Sequence, residues 1–65
     1  MNVKLTQRET DVAKYLVEGK SNYEIAQILE LSIHMVKIHV ANMLKKFGIN
    51  NRTQLAYILG KNNII

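Results

Sequence analysis

Apolar residues along this chain recur at helical spacing, and no segment alternates with the period of two that a half-buried strand requires. Thr6-Gln7-Arg8-Glu9 has the form of a capping box, in which the Thr6 hydroxyl accepts from the Glu9 N–H and the Glu9 carboxylate reaches back to the Thr6 N–H. Val12, Ala13, Leu16 and Val17 follow as one stripe. Leu5 stands ahead of the cap as a staple residue, and Gly19 is suited to end a first helix over about 7–18. Ser21-Asn22-Tyr23-Glu24 repeats the box and starts a short helix, 22–29, with Ile25, Ala26, Ile28 and Leu29 facing inward. Glu30-Leu31-Ser32 is a tight break. Ser32 then caps a longer helix, 33–47, which Gly48 closes. Asn50 or Asn51 caps a fourth helix, 52–59, that carries Leu55, Ile58 and Leu59. Gly60 to Ile65 read as a frayed end, with Ile64 and Ile65 able to fold back on the core. The expected fold is all-α, a four-helix bundle with a central helix-turn-helix over about 21–41, in one domain spanning 1–65.

The break between the second and third helices is so short that the two must cross steeply. Ala26 supplies the small side chain for that crossing, and Ile25, Leu29, Leu31 and Val36 form its apolar joint. Glu30 stands in the turn where many such motifs place Gly. At about 100° per residue, the third helix divides into two arcs. Val36, Val40, Met43 and Phe47, flanked by Ile33 and Leu44, make a core arc. His34, Lys37, Ile38, Ala41 and Lys45 make an opposite arc that is basic or short-chained and holds no acid. An outward Ile38 beside a small Ala41 suits a face pressed into the DNA major groove, where an aliphatic group can meet a thymine methyl. The plainer reading is an ordinary amphipathic helix.

Composition narrows the function classes. A chain of 65 residues buries a thin core and leaves little room for a deep pocket. With no Cys there is no disulfide and no thiolate metal site. No carboxylate pair, nucleophile–base constellation or phosphate-cradling Gly loop is present, so no enzyme and no cofactor is expected. His34 and His39 have no third ligand near them, and no metal site is expected. No apolar run approaches the roughly 20 residues that cross a bilayer, and a cytoplasmic location is expected.

The net charge of +4 is unevenly spread. Residues 1–32 hold Lys4, Arg8, Lys14 and Lys20 against Glu9, Asp11, Glu18, Glu24 and Glu30. Residues 33–65 hold Lys37, Lys45, Lys46, Arg52 and Lys61 and no acid. A basic half of this kind suits either a solvated surface or a polyanionic partner. Lys37 reaches a guanine edge or a phosphate from the groove-facing arc. His34 stands near a helix start, where the dipole favours anions. His39 lies beside the core and is read first as a packed, hydrogen-bonded side chain and second as a phosphate contact. Glu9 is read as a cap, with an ion pair to Arg52 as a further role.

Taken together, Leu5-Thr6-Gln7-Arg8-Glu9, Gly19-Lys20-Ser21-Asn22-Tyr23-Glu24-Ile25-Ala26, Leu31-Ser32, Val36-Lys37-Ile38-His39, Asn42-Met43, Lys46-Phe47-Gly48-Ile49 and Arg52 resemble the LuxR-type (GerE-type) helix-turn-helix domain of bacterial transcription regulators. The likeness runs from Leu5 to Leu59. The promoter-reading region of sigma factors shares the Thr-x-x-Glu start and the Glu-Ile-Ala segment, but the Lys37-x-His39 pair, Asn42 and the Gly48-Ile49…Arg52 tail favour the LuxR type. The resemblance implies sequence-specific binding of double-stranded DNA with the third helix in the major groove. It places Lys37, Ile38 and Ala41 at base edges. It places Lys20, Ser21, Asn22, Ser32, Met35, His39 and Asn42 at or near the backbone, to which His34 and Lys45 are added from the exposed arc. It implies a homodimer on DNA through the fourth helix, where Thr53, Ala56 and Tyr57 are the expected contacts, and RNA polymerase as a further partner. Two departures stand out: Met35 replaces the usual Thr, and Ala41 stands where some relatives carry a long polar chain. Family members occur as stand-alone domains or, more often, as the C-terminal part of a longer regulator, and the sequence leaves both open. The competing expectation is a helix-turn-helix protein-interaction module that does not bind DNA.

Overall fold

A computed structural model describes residues 3–61. They form α1 (Gln7–Leu16), α2 (Asn22–Leu29), α3 (Ile33–Phe47) and α4 (Arg52–Lys61), with no strand among the described residues. No helix among them is long and apolar enough to cross a membrane. α3 is the axis of the bundle, packing against each of the other three helices.

The local signals act as the sequence predicts. Thr6 and Ser21 both complete capping boxes, and Ser32 caps α3 by accepting from the Met35 N–H at 3.0 Å. Asn51, rather than Asn50, caps α4, its Oδ1 accepting from the Gln54 N–H at 2.9 Å. The first three helices end alike, each with a left-handed residue and a bond from the next N–H to the carbonyl five residues back. Gly19 (φ 84°) precedes Lys20 N–H to Tyr15 O, and Gly48 (φ 68°) precedes Ile49 N–H to Leu44 O. Glu30 (φ 57°) precedes Leu31 N–H to Ala26 O at 2.9 Å and is the one described non-glycine with positive φ. The turn between α2 and α3 thus uses a conformation that costs an ordinary residue about 1–2 kcal/mol.

Two helix ends differ from the sequence reading. α1 stops at Leu16 instead of about 18, because the Lys20 bond to Tyr15 pulls residues 17–19 into a turn. α4 runs on through Gly60 to Lys61, anchored by the fully buried Leu59 and by the Lys61 ammonium lying 5.6 Å from the Tyr57 ring centre. The expected fold-back of Ile64 and Ile65 lies outside the described residues.

Val12, Ile25, Val36, Met43, Leu55 and Leu59 are the largest fully buried side chains, joined in one core by Ala13, Leu16, Ala26, Val40 and Phe47. Leu5, Val17, Leu29, Leu31, Leu44 and Ile58 pack on its edge. Two residues placed inward by periodicity are exposed, Ile28 at 44% and Ile33 at 39%. Ile28 stands one residue before the end of α2 and Ile33 is the first residue of α3, so both lie at element ends.

Candidate nucleic-acid interface

α3 is 15 residues long, about 22 Å at 1.5 Å per residue. Val36, Val40, Met43 and Phe47 bury one side of it. Every residue of the opposite arc, His34, Lys37, Ile38, Ala41 and Lys45, is exposed, and so are Ser32, Met35 and Asn42. The face has no carboxylate of its own. Of the α3 lysines, Lys46 is neutralised by Glu9 at 2.6 Å, while Lys37 and Lys45 form no ion pair among the described residues. The free cations therefore lie on the exposed arc, and the paired one lies on the flank.

Helix starts add donors. At α3, Ser32 occupies the N–H groups of Met35 and Val36, through its hydroxyl and its carbonyl, leaving those of Ile33 and His34 unused. Ser21 does the same for Glu24 and Ile25 at α2, leaving Asn22 and Tyr23. Unused N–H groups at the positive end of a helix dipole are a binding site for phosphate oxygens. The two starts differ in charge. At α2 the Glu24 carboxylate accepts from the Ser21 N–H at 2.8 Å. That bond, the Ser21 hydroxyl and the nearby Lys20 charge hold its carboxyl below the usual range. At α3 the equivalent residue is Met35, so no anion occupies the helix start.

Arg52 ties the start of α4 to the start of α2. Its Nη1 donates to Asn22 Oδ1, and its Nη2 donates to the Lys20 carbonyl at 2.6 Å. Partial burial lowers the guanidinium pKa from its ordinary value, but an arginine stays charged throughout the physiological range. The expected Glu9–Arg52 pair is therefore not formed. Glu9, 3% exposed, turns instead to Lys46, which also donates to the Lys4 carbonyl at 2.9 Å. Burial pushes the Glu9 carboxyl up, but the Lys46 ammonium and the Thr6 N–H and hydroxyl more than offset this and hold it below the usual value.

The remaining candidate residues fall into place less uniformly. His39 is half-buried, as its position beside the core suggests, but its ring makes no hydrogen bond among the described residues, so the hydrogen-bonded reading is corrected. Lys20 is half-buried, with its carbonyl held by Arg52; Ser21 is exposed and acts as a cap. On α4, Thr53 and Tyr57 are exposed, Tyr57 at 63%, whereas Ala56 packs against the core edge. No group of three or more His, Cys, Asp or Glu side chains that could hold a metal occurs among the described residues. A concavity of about 450 Å³ lies on α1, lined by Gln7, Thr10, Asp11, Lys14, Val17 and Glu18, and shares no residue with the α3 face. The role of Arg52 in holding Asn22 was missed from sequence, because nothing local marks a contact across 30 residues.

Comparison with known proteins agrees with this architecture. Over 60 residues the chain is 47% identical to the uncharacterized transcriptional regulatory protein YhcZ of Bacillus subtilis, covering 92% of this chain and 28% of that protein. It is 38% identical over 61 residues to the transcriptional regulatory protein LiaR of the same organism, covering 94% and 29%. With the nitrate/nitrite response regulator protein NarP of Escherichia coli it shares 44% identity over 48 residues, 74% of this chain and 22% of that protein. The chain thus spans less than a third of the length of these relatives. Residues 3–59 match the family described as bacterial regulatory proteins, luxR family, and the chain, with its four helices and central helix-turn-helix, belongs to that family.

Proposed function

We propose that this domain binds double-stranded DNA sequence-specifically in transcription control, with the helix-turn-helix of residues 21–41 seated on the duplex and α3 in the major groove. The observation that carries the reading is the acid-free exposed arc of α3, where Lys37 and Lys45 are unpaired while the flanking Lys46 is neutralised by Glu9. A duplex supplies phosphates for unpaired lysines and a groove wide enough for a helix. Lys37, Ile38 and Ala41 face the bases: Lys37 as a donor to guanine O6 or N7, Ile38 as an apolar contact to a thymine methyl, Ala41 by close approach alone. The α3 start (Ser32 and His34, with Met35 lying beside the backbone) and the α2 start (Lys20, Ser21, Asn22) take phosphates, with Lys45, Asn42 and His39 farther along α3. This is a sparse set of base readers, so phosphates supply most of the affinity. A second copy, joined through Thr53 and Tyr57 of α4 with Ala56 beneath them, supplies the second half-site that raises specificity.

Selection from random duplexes, followed by anisotropy titration of the selected sequence across salt concentrations, tests this. The expected result is an enriched half-site and a log K that falls with log salt by about 0.9 per phosphate neutralised. A flat titration with every duplex at low salt overturns the reading in favour of a protein-interaction module.

A further inference from the structure

Arg52 sits in the first turn of α4, yet both its side-chain hydrogen bonds go to the start of α2: one to the Asn22 side chain, one to the Lys20 carbonyl. A guanidinium has donors and no acceptor, so the Asn22 carboxamide must present its oxygen to Arg52 and turn its Nδ2 hydrogens the other way. Those hydrogens have no partner among the described residues, and no buried side-chain nitrogen or oxygen among them lacks one. The Nδ2 group therefore opens to solvent. It does so on the first residue of α2, beside the unused backbone N–H groups of Asn22 and Tyr23.

We infer that Arg52 is a positioning residue for the nucleic-acid interface: it locks the Asn22 carboxamide with its two N–H donors outward, where they join the α2 backbone N–H groups on one phosphate. The inference rests on the proposed duplex binding. An amide free to turn offers its oxygen to the phosphate as readily as its nitrogen, and oxygen against oxygen repels. Holding the oxygen inward removes the wrong orientation before the duplex arrives and saves the ordering cost at binding. The second bond, to the Lys20 carbonyl, fixes the backbone that leads into the Ser21 cap, so the N–H groups and the amide are aimed together.

Duplex titrations of five variants, followed by anisotropy and by the Asn22 side-chain amide signals in NMR, test this. In the parent, the Asn22 amide pair is expected to shift on adding the selected duplex. Asn22→Asp keeps the acceptor for Arg52 but replaces the outward donors with an anion. It should melt no lower than the parent and bind about tenfold more weakly. Arg52→Gln should weaken binding several-fold and abolish the response of the Asn22 amide, while the Lys37 backbone signal still responds. Because the two residues act as one unit, Arg52→Gln added to Asn22→Ala should cost no more than about twofold beyond Asn22→Ala alone, as coupled pairs are non-additive. Fully multiplicative losses, or Asn22→Asp binding as tightly as the parent, overturn the inference. If Arg52→Gln fails to fold, Asn22→Asp still decides. Should Lys37→Ala leave binding unchanged as well, the duplex reading itself has failed; should Lys37→Ala weaken binding while Asn22→Asp does not, only the role of Arg52 has.

Discussion

The starts of α1 and α3 are built from the same parts and put to opposite ends. Each begins with a hydroxyl cap that accepts from the third N–H of its helix. At α1 the third residue is Glu9, whose buried carboxylate accepts through Oε1 from both the Thr6 N–H at 2.9 Å and the Lys46 ammonium at 2.6 Å. At α3 the third residue is Met35, exposed and without charge, and Lys37 and Lys45 on the exposed arc are unpaired among the described residues. One start is satisfied from within the chain and serves the fold. The other holds no acid and leaves the lysines of its exposed arc unpaired, open to an anion from outside; the first two N–H groups are unused at both starts. The α3 start is open to an anion because the chain places no acid there.

The sharpest way to break that contrast is to open the closed start. Glu9→Ala removes a cap partner and one member of a buried ion pair whose lysine is about a third exposed. The lysine can turn to water, so the loss is smaller than for a wholly buried pair, about 2–3 kcal/mol. In a domain of this size that lowers the melting temperature by roughly 10–20 °C. Calorimetry checks it, and a shift under about 4 °C contradicts the role given to Glu9. The carboxyl titrates lower in the folded chain than in the unfolded one. Its contribution is therefore complete above the ordinary carboxylate range and fades as pH falls through the depressed value. In Glu9→Ala the loss of stability on acidification should be shallower over that window.

Emptying the open start should act on binding and leave the fold alone. Lys37→Ala is expected to cost about 1–3 kcal/mol on a selected duplex and to relax preference at one base pair. Lys45→Ala should weaken selected and unselected duplexes alike and reduce the salt slope by about 0.9. Both should melt within about 0.5 kcal/mol of the parent, since neither side chain is paired or buried. If both variants lose affinity equally on every sequence, Lys37 holds a phosphate and the base reading is wrong.

What the sequence shows of this contrast follows from range. The boxes at Thr6 and Ser21 were legible because cap and partner lie three residues apart. The two arcs of α3 were legible because a helix repeats its faces, and the whole exposed arc stands where periodicity puts it. Periodicity fails at element ends: Ile28 and Ile33 share the apolar stripe but remain 44% and 39% exposed. Partner choice fails altogether. Glu9 meets Lys46 across 37 residues, and Arg52 meets Asn22 across 30. Both cations lie in the same acid-free half, so charge alone did not say which would reach Glu9.

Closing the open start tests the comparison from the other side. Met35→Gln and Met35→Glu each complete a capping box at α3 by giving the third residue a side-chain acceptor for the Ser32 N–H. Either should hold or slightly raise the stability of the helix. Only the glutamate adds an anion at the helix start, and it should weaken duplex binding by about 1 kcal/mol, while the glutamine stays within about twofold. Equal losses in the two variants would point to a lost methionine contact and away from electrostatics.

The smallest effect belongs to the corner between the two helices of the motif. Glu30 takes the left-handed conformation that glycine adopts freely, and its N–H and that of Leu31 close the end of α2 by bonding to Gln27 and Ala26. Glu30→Gly removes the backbone strain but gives the unfolded chain more freedom, which returns part of the gain. A net stabilisation of about 0.5 kcal/mol is expected, read as a rise in melting temperature of roughly 2–4 °C. The substitution also removes the last acid before α3. Duplex affinity should therefore rise slightly at low salt, with the gain disappearing at high salt, because an exposed charge acts on phosphates only within a screening length of about 10 Å at 0.1 M. A gain that persists at high salt would come from a changed angle between α2 and α3, and would place the turn, instead of its charge, among the features that fit α3 to the duplex.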